Sequence, residues 1–111
     1  MLRPEELKSV RVAAYLDKRN HAFPYAWRQR YCVMSGNFLF IYLSPRDMKP
    51  KRVVCVDEAV AEPSSKHASR ARPHAFTVVS RSGKEFIFAA ETREERDKVR
   101  AQCVSHARAC V

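Results

Sequence analysis

The chain has 111 residues, 46% of them apolar, which is enough for one domain with a small core. Its 21 lysines and arginines against 12 acids give a formal net charge of +9, which favours anionic partners: membrane surfaces, nucleic acid or acidic proteins. No apolar run approaches the roughly 20 residues of a membrane-spanning helix, so we expect no transmembrane segment.

The four cysteines and four histidines show no spacing typical of a metal site or a redox pair. We find no signal peptide, so we expect reduced thiols and a cytoplasmic location. No Ser/His/Asp, Cys/His or paired-carboxylate constellation stands out. We therefore predict a protein that is not an enzyme and that holds no cofactor and no metal.

The first half of the chain alternates apolar and polar residues with the period of a β-strand. A turn signal, Ser35-Gly36-Asn37, separates the second and third predicted strands. The four predicted strands are SVRVAAYLDK at 9–18, WRQRYCVM at 27–34, FLFIYL at 38–43 and RVVCVD at 52–57. The first three form an antiparallel meander.

The second half contains a loop, a hairpin and a helix. Residues 59–74 are small, polar and basic, which indicates a long loop around a short strand. Residues 75–91 predict two strands joined by a turn at 80–84, with Gly83 available for positive φ. The period then changes, and Thr92 with Glu95 fits a capping box that begins a helix over about 92–109. Its apolar stripe contains Val99, Cys103, Val104 and Ala107.

The alternation places three cations at one end of the first hairpin. Lys18 continues the apolar face of the first strand, and Arg28 and Arg30 begin the matching face of the second. An antiparallel pairing brings these charges side by side next to the connecting loop, where they repel each other unless an anion binds. The alternative is that they pair with acids such as Asp17, Asp57 or Glu58.

The connecting loop, RNHAFPYA at 19–26, places Phe23 and Tyr25 near its tip. Exposed aromatic rings beside cations suit a membrane interface, because the rings enter the headgroup zone while the cations contact phosphates. The alternative is that one of these rings folds back onto the sheet. Trp27 lies within the strand, where we expect it to pack.

The order of these elements resembles the pleckstrin homology (PH) domain. AYLDK at 14–18 is similar to the family's first-strand pattern G-x-L-x-K, and WRQRYCVM to its second, W-K/R-x-R-W/Y-F-x-L. FLFIYL, EFIFAAE and TREERDKV match its third strand, closing strand and helix start. Ala14, Ile41 and Val99 stand where the family usually has Gly, a phosphate-contacting Tyr and Trp.

The resemblance implies a mainly β fold, a bent antiparallel barrel or sandwich of seven strands capped by one C-terminal α-helix. It covers the chain from about Val10 to Val111, so we expect residues 1–111 to be a single domain, a module of a larger protein. Lipid-binding members place a basic pattern, K-xn-K/R-x-R, at the open end, and also use cations from the loop after the third strand. The predicted headgroup-binding residues are Lys18, Arg28, Arg30, Arg19, Lys49 and Lys51, and the same loop offers Arg46 and Arg52.

The predicted function is recruitment to the cytosolic face of a membrane by binding anionic phospholipid headgroups, either phosphoinositide or phosphatidic acid. Phe23 and Tyr25 are the predicted membrane-inserting residues. The alternative is a protein-interaction module with little lipid specificity, acting through the helix and the basic loop. We expect a monomer, and no nucleic-acid partner, because the aromatic residues are not arranged as a stacking platform.

Overall fold

The computed structural model describes residues 2–109, and side chains as far as residue 103. After a short 3-10 helix at Pro4–Glu6, seven strands precede one α-helix within this range. The elements are β1 Val10–Arg19, β2 Trp27–Ser35, β3 Phe38–Tyr42, β4 Arg52–Cys55, β5 Val60–Pro63, β6 Ala75–Val79, β7 Glu85–Ala89 and α1 Arg93–Ala109.

The strands form one antiparallel sheet in the order β4-β3-β2-β1-β7-β6-β5. β1 pairs with β2 along its whole length, and its last residues also pair with β7, where Lys18 lies opposite Phe88. β1 therefore joins the two halves of the sheet. The predicted fold class, seven antiparallel strands with one C-terminal helix, is confirmed.

Alternate residues of the strands face a common core, as the period-two pattern predicts. Leu16 on β1 and Met34 on β2 are buried, and the rings of Phe76 on β6 and Phe88 on β7 stack with their centroids 5.5 Å apart. Both phenylalanines have no exposed surface. These residues belong to the main core. The cationic ends of β1 and β2 lie just beyond it.

The helix begins where the sequence predicts. The Thr92 hydroxyl accepts a hydrogen bond from the backbone N–H of Glu95 at 3.1 Å, which satisfies a free donor of the first turn. Val99 and Cys103 then enter the core, and α1 packs against β1 and β5. The side chains of Val104 and Ala107, the rest of the predicted stripe, lie outside the described residues.

An N-terminal segment, residues 2–9, lies against the face of β2 and β3 that points away from the main core. Leu7 packs on a small apolar cluster of Val33, Phe40 and Tyr42. The Tyr42 hydroxyl donates to the carbonyl of Leu2 at 2.6 Å. Because side chains alternate along a strand, Tyr42 points to this cluster and its neighbour Ile41 points to the main core.

The remaining connections agree with the predicted organisation. β5 is the one short strand in the basic stretch 59–74. The β6–β7 turn is closed by the Gly83 N–H, which donates to the Ser80 carbonyl at 2.8 Å, and Gly83 has φ +90°. Within the described part of the chain, no helix is long and apolar enough to cross a membrane.

Candidate headgroup-binding site

The β1–β2 register places the predicted cations next to one another. Lys18 lies opposite Arg28, and Leu16 lies opposite Arg30. A backbone hydrogen bond from Asn20 N–H to the Ala26 carbonyl, 2.9 Å long, closes the loop that joins the two strands. The cations therefore lie directly beside this loop, as the alternation predicts.

These side chains line a cavity of about 390 Å³, which we call the cationic cavity. Five of its lining residues are lysine or arginine, and no described residue of the lining is an acid. Arg28 donates one hydrogen bond to the backbone carbonyl of Trp27, and Arg30 donates one to that of Gln29. The other guanidinium donors of both residues form no hydrogen bond with a described residue. The lining is Lys18, Asn20, His21, Ala22, Phe23, Pro24, Arg28, Arg30, Ile41, Lys51 and Arg52.

The β3–β4 connection and the first residue of β4 contribute one cation each. The Lys51 N–H donates to the Ile41 carbonyl at 2.8 Å, and Arg52 is the register partner of Ile41. Ile41 itself contributes an apolar part of the wall. Arg52 crosses towards β7, with its guanidinium carbon 5.6 Å from the centroid of the Phe86 ring.

The alternative that acids neutralise this group is wrong. Asp17 pairs with Arg72 at 3.1 Å, and Glu58 pairs with Arg81 at 3.2 Å. One carboxylate oxygen of Asp57 is buried and has no hydrogen-bond partner among the described residues. Among the described residues, no ion pair joins an acid to any cation of the cationic cavity.

The crowding of like charges changes the proton affinity of the groups in the cavity. Burial, followed by the charges of Arg52 and Arg30, lowers the pKa of Lys18 below its usual value. Burial and then Lys18 and Arg52 lower the pKa of His21 as well. Both shifts have the sign expected for cations held together without a counter-charge, and an anion in the cavity would reverse the electrostatic part of each.

The aromatic residues of the loop are exposed at its tip. Phe23 is 83% exposed and Tyr25 is 43% exposed, and their rings meet edge to face at 5.8 Å. Neither ring folds back onto the sheet. Trp27 is half-buried under the guanidinium of Arg72, 5.0 Å from the ring centroid, in agreement with its expected packing.

Two of the predicted cations lie outside the cationic cavity. Arg19 follows Lys18 on the same strand, and strand alternation therefore turns it to the other face, where it stacks on Tyr25 at 4.5 Å. Lys49 is exposed in the β3–β4 connection and is not part of the cavity wall. Arg52, one of the further cations that the sequence offered after the third strand, also lines the cavity, and so does His21, which was not among the predicted headgroup-binding residues.

Arg19 instead lines a second cavity, of about 570 Å³, on the opposite side of the β1–β2 loop. One of its guanidinium nitrogens lies 3.4 Å from Nδ1 of His67, and Lys66 is next to it. Burial and the charge of Arg19 lower the pKa of His67. No sequence signal joined these residues to Arg19, because the contact depends on the path of the 64–74 loop.

A seven-stranded antiparallel sheet with one C-terminal helix is the fold of PH domains. The family model described as PH domain matches residues 10–98, which is most of the chain. The protein therefore belongs to the PH domain family, as its sequence motifs predict. No curated protein matches the sequence.

Solved structures with this fold include ligand complexes. The C-terminal PH domain of pleckstrin in complex with D-myo-Ins(1,2,3,5,6)P5 superposes with a TM-score of 0.76 at 15% identity, over 88% of this chain and 95% of that one. The Slm1 PH domain in complex with phosphoserine gives 0.71 at 17%, over 86% and 92%. The PH domain of human oxysterol-binding protein-related protein 11 gives 0.72 at 24%, over 88% and 83%. At these sequence identities, the similarity shows a shared fold and nothing further.

Proposed function

We propose that this PH domain recruits the protein that contains it to the cytosolic face of a membrane, by binding an anionic phospholipid headgroup in the cationic cavity. One observation carries this proposal: five cations line a single cavity that has no acid in its wall. Uncompensated like charges destabilise a fold unless an anion offsets their repulsion. The inositol phosphate bound by the C-terminal PH domain of pleckstrin gives further support.

The chemistry of the wall favours a phosphate monoester. Arg28 and Arg30 offer planar guanidinium forks that match two phosphate oxygens, and Lys18 adds a point charge deeper in the cavity. A monoester carries a charge of about −1.5 to −2 at neutral pH, more than a phosphodiester does. Phosphatidic acid and the phosphoinositides present such a group, whereas phosphatidylserine does not.

The exposed loop tip would supply the apolar part of membrane binding. Phe23 belongs to the rim of the cationic cavity, so its ring would enter the interface next to a bound headgroup. Tyr25 contacts both Phe23 and Arg19, so its half-polar ring would lie near the level of the phosphates when Phe23 is inserted. A single electrostatic contact rarely holds a protein on a bilayer, and this second contribution offsets that weakness.

The second cavity favours a further anion contact on the other side of the same loop. Arg19, Lys66 and His67 face it, with Glu85 as its one acid among the described residues that line it. A headgroup bound there would belong to the same membrane surface that the loop tip enters. Arg19 would then contact lipid phosphate, as predicted from the sequence, but from a cavity separate from that of Lys18.

The direct test is liposome co-sedimentation at physiological salt with vesicles of matched surface charge. We expect vesicles containing phosphatidic acid or individual phosphoinositides to bind the domain at least about tenfold more tightly than phosphatidylserine vesicles. Equal binding to every anionic vesicle, lost as salt rises, would show diffuse charge attraction instead. Absence of binding to all vesicles would favour the protein-interaction alternative.

Headgroup binding is expected to strengthen as the pH falls below neutral. The pKa of free His21 is lowered, so its ring is neutral at pH 7, and a bound anion raises that pKa. The domain therefore takes up a proton when it binds the headgroup. Its affinity for the headgroup rises as the pH falls from the pKa of His21 in the complex towards the lower pKa of His21 in the free domain. The charged groups around the ring are Lys18, Arg52, Lys84 and Glu85.

The measurement compares the wild type with His21→Gln on phosphoinositide vesicles between pH 7.5 and pH 5.5. Since the lipid phosphate also titrates in this range, the informative quantity is the ratio of the two affinities at each pH. We expect this ratio to change about two- to fivefold in favour of the wild type at the acid end. A ratio that does not depend on pH would exclude a role for His21.

A further inference from the structure

The sheet has an edge strand that no other strand covers. β4 is last in the strand order and pairs with β3 along one side only. The other side of an edge strand presents backbone N–H and C=O groups that can pair with an added strand. On β4 the side chain of Val53 is 45% exposed, and that of Cys55 is exposed too.

A groove of about 560 Å³ runs along this edge, between β4 and the β6–β7 turn, and we call it the β4 groove. Val54 and Phe86, both buried, contribute apolar surface to it. Its complete lining is Arg52, Val53, Val54, Cys55, Asp57, Ser80, Arg81, Ser82, Lys84 and Phe86. Three of these residues are cations, against one acid.

Two of the three cations of the groove have no ion-pair partner among the described residues. Arg81 pairs with Glu58 at the surface, whereas Arg52 and Lys84 form no ion pair with any described residue. Both stand over the Phe86 ring, with Arg52 at 5.6 Å and the Lys84 ammonium at 5.5 Å from its centroid. An occupant with acidic side chains would complement them.

The single acid in the groove lacks a partner of its own. Oδ1 of Asp57 is buried and accepts no hydrogen bond from a described residue. Because this oxygen has no accessible surface, a peptide in the groove would not reach it. The free side of β4 and the cations of the groove are therefore the features that an occupant would contact.

We propose that the β4 groove binds an extended acidic peptide of a partner protein, which adds a strand to β4. One face of that strand would lie beside Val53, and the other would lie beside Phe86 with its two cations, so alternating apolar and acidic residues fit best. A second copy of this chain fits poorly, because its own β4 edge is basic and the chain carries a net charge of +9. The proposal does not depend on lipid binding.

The test uses a fluorescein-labelled octapeptide of alternating valine and glutamate. We expect it to bind the domain at physiological salt, at least about tenfold more tightly than the valine–lysine octapeptide or a glutamate peptide with alternate N-methylated amides. Hydrogen exchange should slow at the β4 amides on binding. Absence of binding, equal binding of the three peptides, or self-association through β4 without peptide would overturn the proposal.

Matched variants locate the binding site. Lys84→Glu should weaken peptide binding about tenfold, whereas Lys98→Glu, an equal charge change on the exposed face of α1, should change it less than about twofold. Equal losses in Lys84→Glu and Lys98→Glu would contradict a groove and indicate diffuse attraction. Lys84 does not line the cationic cavity, so failure here leaves the lipid proposal intact.

Discussion

Replacing Arg28 by glutamate is expected to lower the affinity for phosphoinositide vesicles by about 3 kcal/mol, or somewhat more than a hundredfold. The change removes a guanidinium that faces the cationic cavity and places a carboxylate against Lys18, its register partner across the hairpin. Binding is measured by co-sedimentation at physiological salt, where attraction by distant charges is largely screened.

The matched control is Lys98→Glu, which alters the net charge equally but lies on α1, away from both cavities beside the β1–β2 loop. It should weaken vesicle binding less than about twofold. The Arg28 side chain is exposed and makes only a 3.4 Å hydrogen bond to the Trp27 carbonyl, so its replacement should leave the free energy of unfolding nearly unchanged. If both variants lose affinity equally, the cavity is not the headgroup site.

Replacing Phe88 by alanine is expected to lower the free energy of unfolding by about 3–5 kcal/mol. The ring is fully buried and stacks on Phe76, so its removal leaves a cavity between β6 and β7 that rigid neighbours fill only in part. Native domains are stable by about 5–15 kcal/mol, and the variant should therefore lose a large fraction of its stability. Chemical denaturation, followed by the fluorescence of Trp27, measures the change.

Phe23→Ala is the same chemical change at an exposed position and provides the control. Because 83% of the Phe23 surface is exposed, its replacement by alanine should alter the free energy of unfolding by less than about 0.5 kcal/mol. The same variant should nevertheless weaken vesicle binding about three- to tenfold, because the ring no longer enters the interface. Normal vesicle binding by Phe23→Ala would refute insertion of the loop tip, and a small effect of Phe88→Ala on stability would refute the stacked core.

Strand alternation was sufficient to predict the first hairpin and the cations beside its loop. A slip of one residue would turn every side chain to the other face, so the apolar positions Leu16 and Met34 fix the register, and with it Lys18 and Arg28. The helix start at Thr92 was equally predictable, because a cap is a local interaction. Each of these features depends on neighbours along one or two strands or one helical turn.

Features that depend on loops and on contacts between distant segments were not predictable. The resemblance named Lys49, Lys51 and Arg52 together, and it could not show that Lys49 stays outside the cationic cavity, because this depends on where the β3–β4 connection rejoins the sheet. His67 meets Arg19 only because the 64–74 loop passes that side of β1. The packing of Leu7 on the outer face likewise has no periodic signal, since a short irregular segment makes it.

The double pairing of β1 has a kinetic consequence. The backbone of Lys18 is paired with β2 on one side and with β7 on the other, so the point from which its side chain extends is fixed before any ligand arrives. A headgroup would meet a preorganised site and would not wait for a conformational change. Association with a membrane would then be limited by diffusional encounter, which the positive field of the whole domain accelerates, and lipids would differ mainly in how slowly they dissociate.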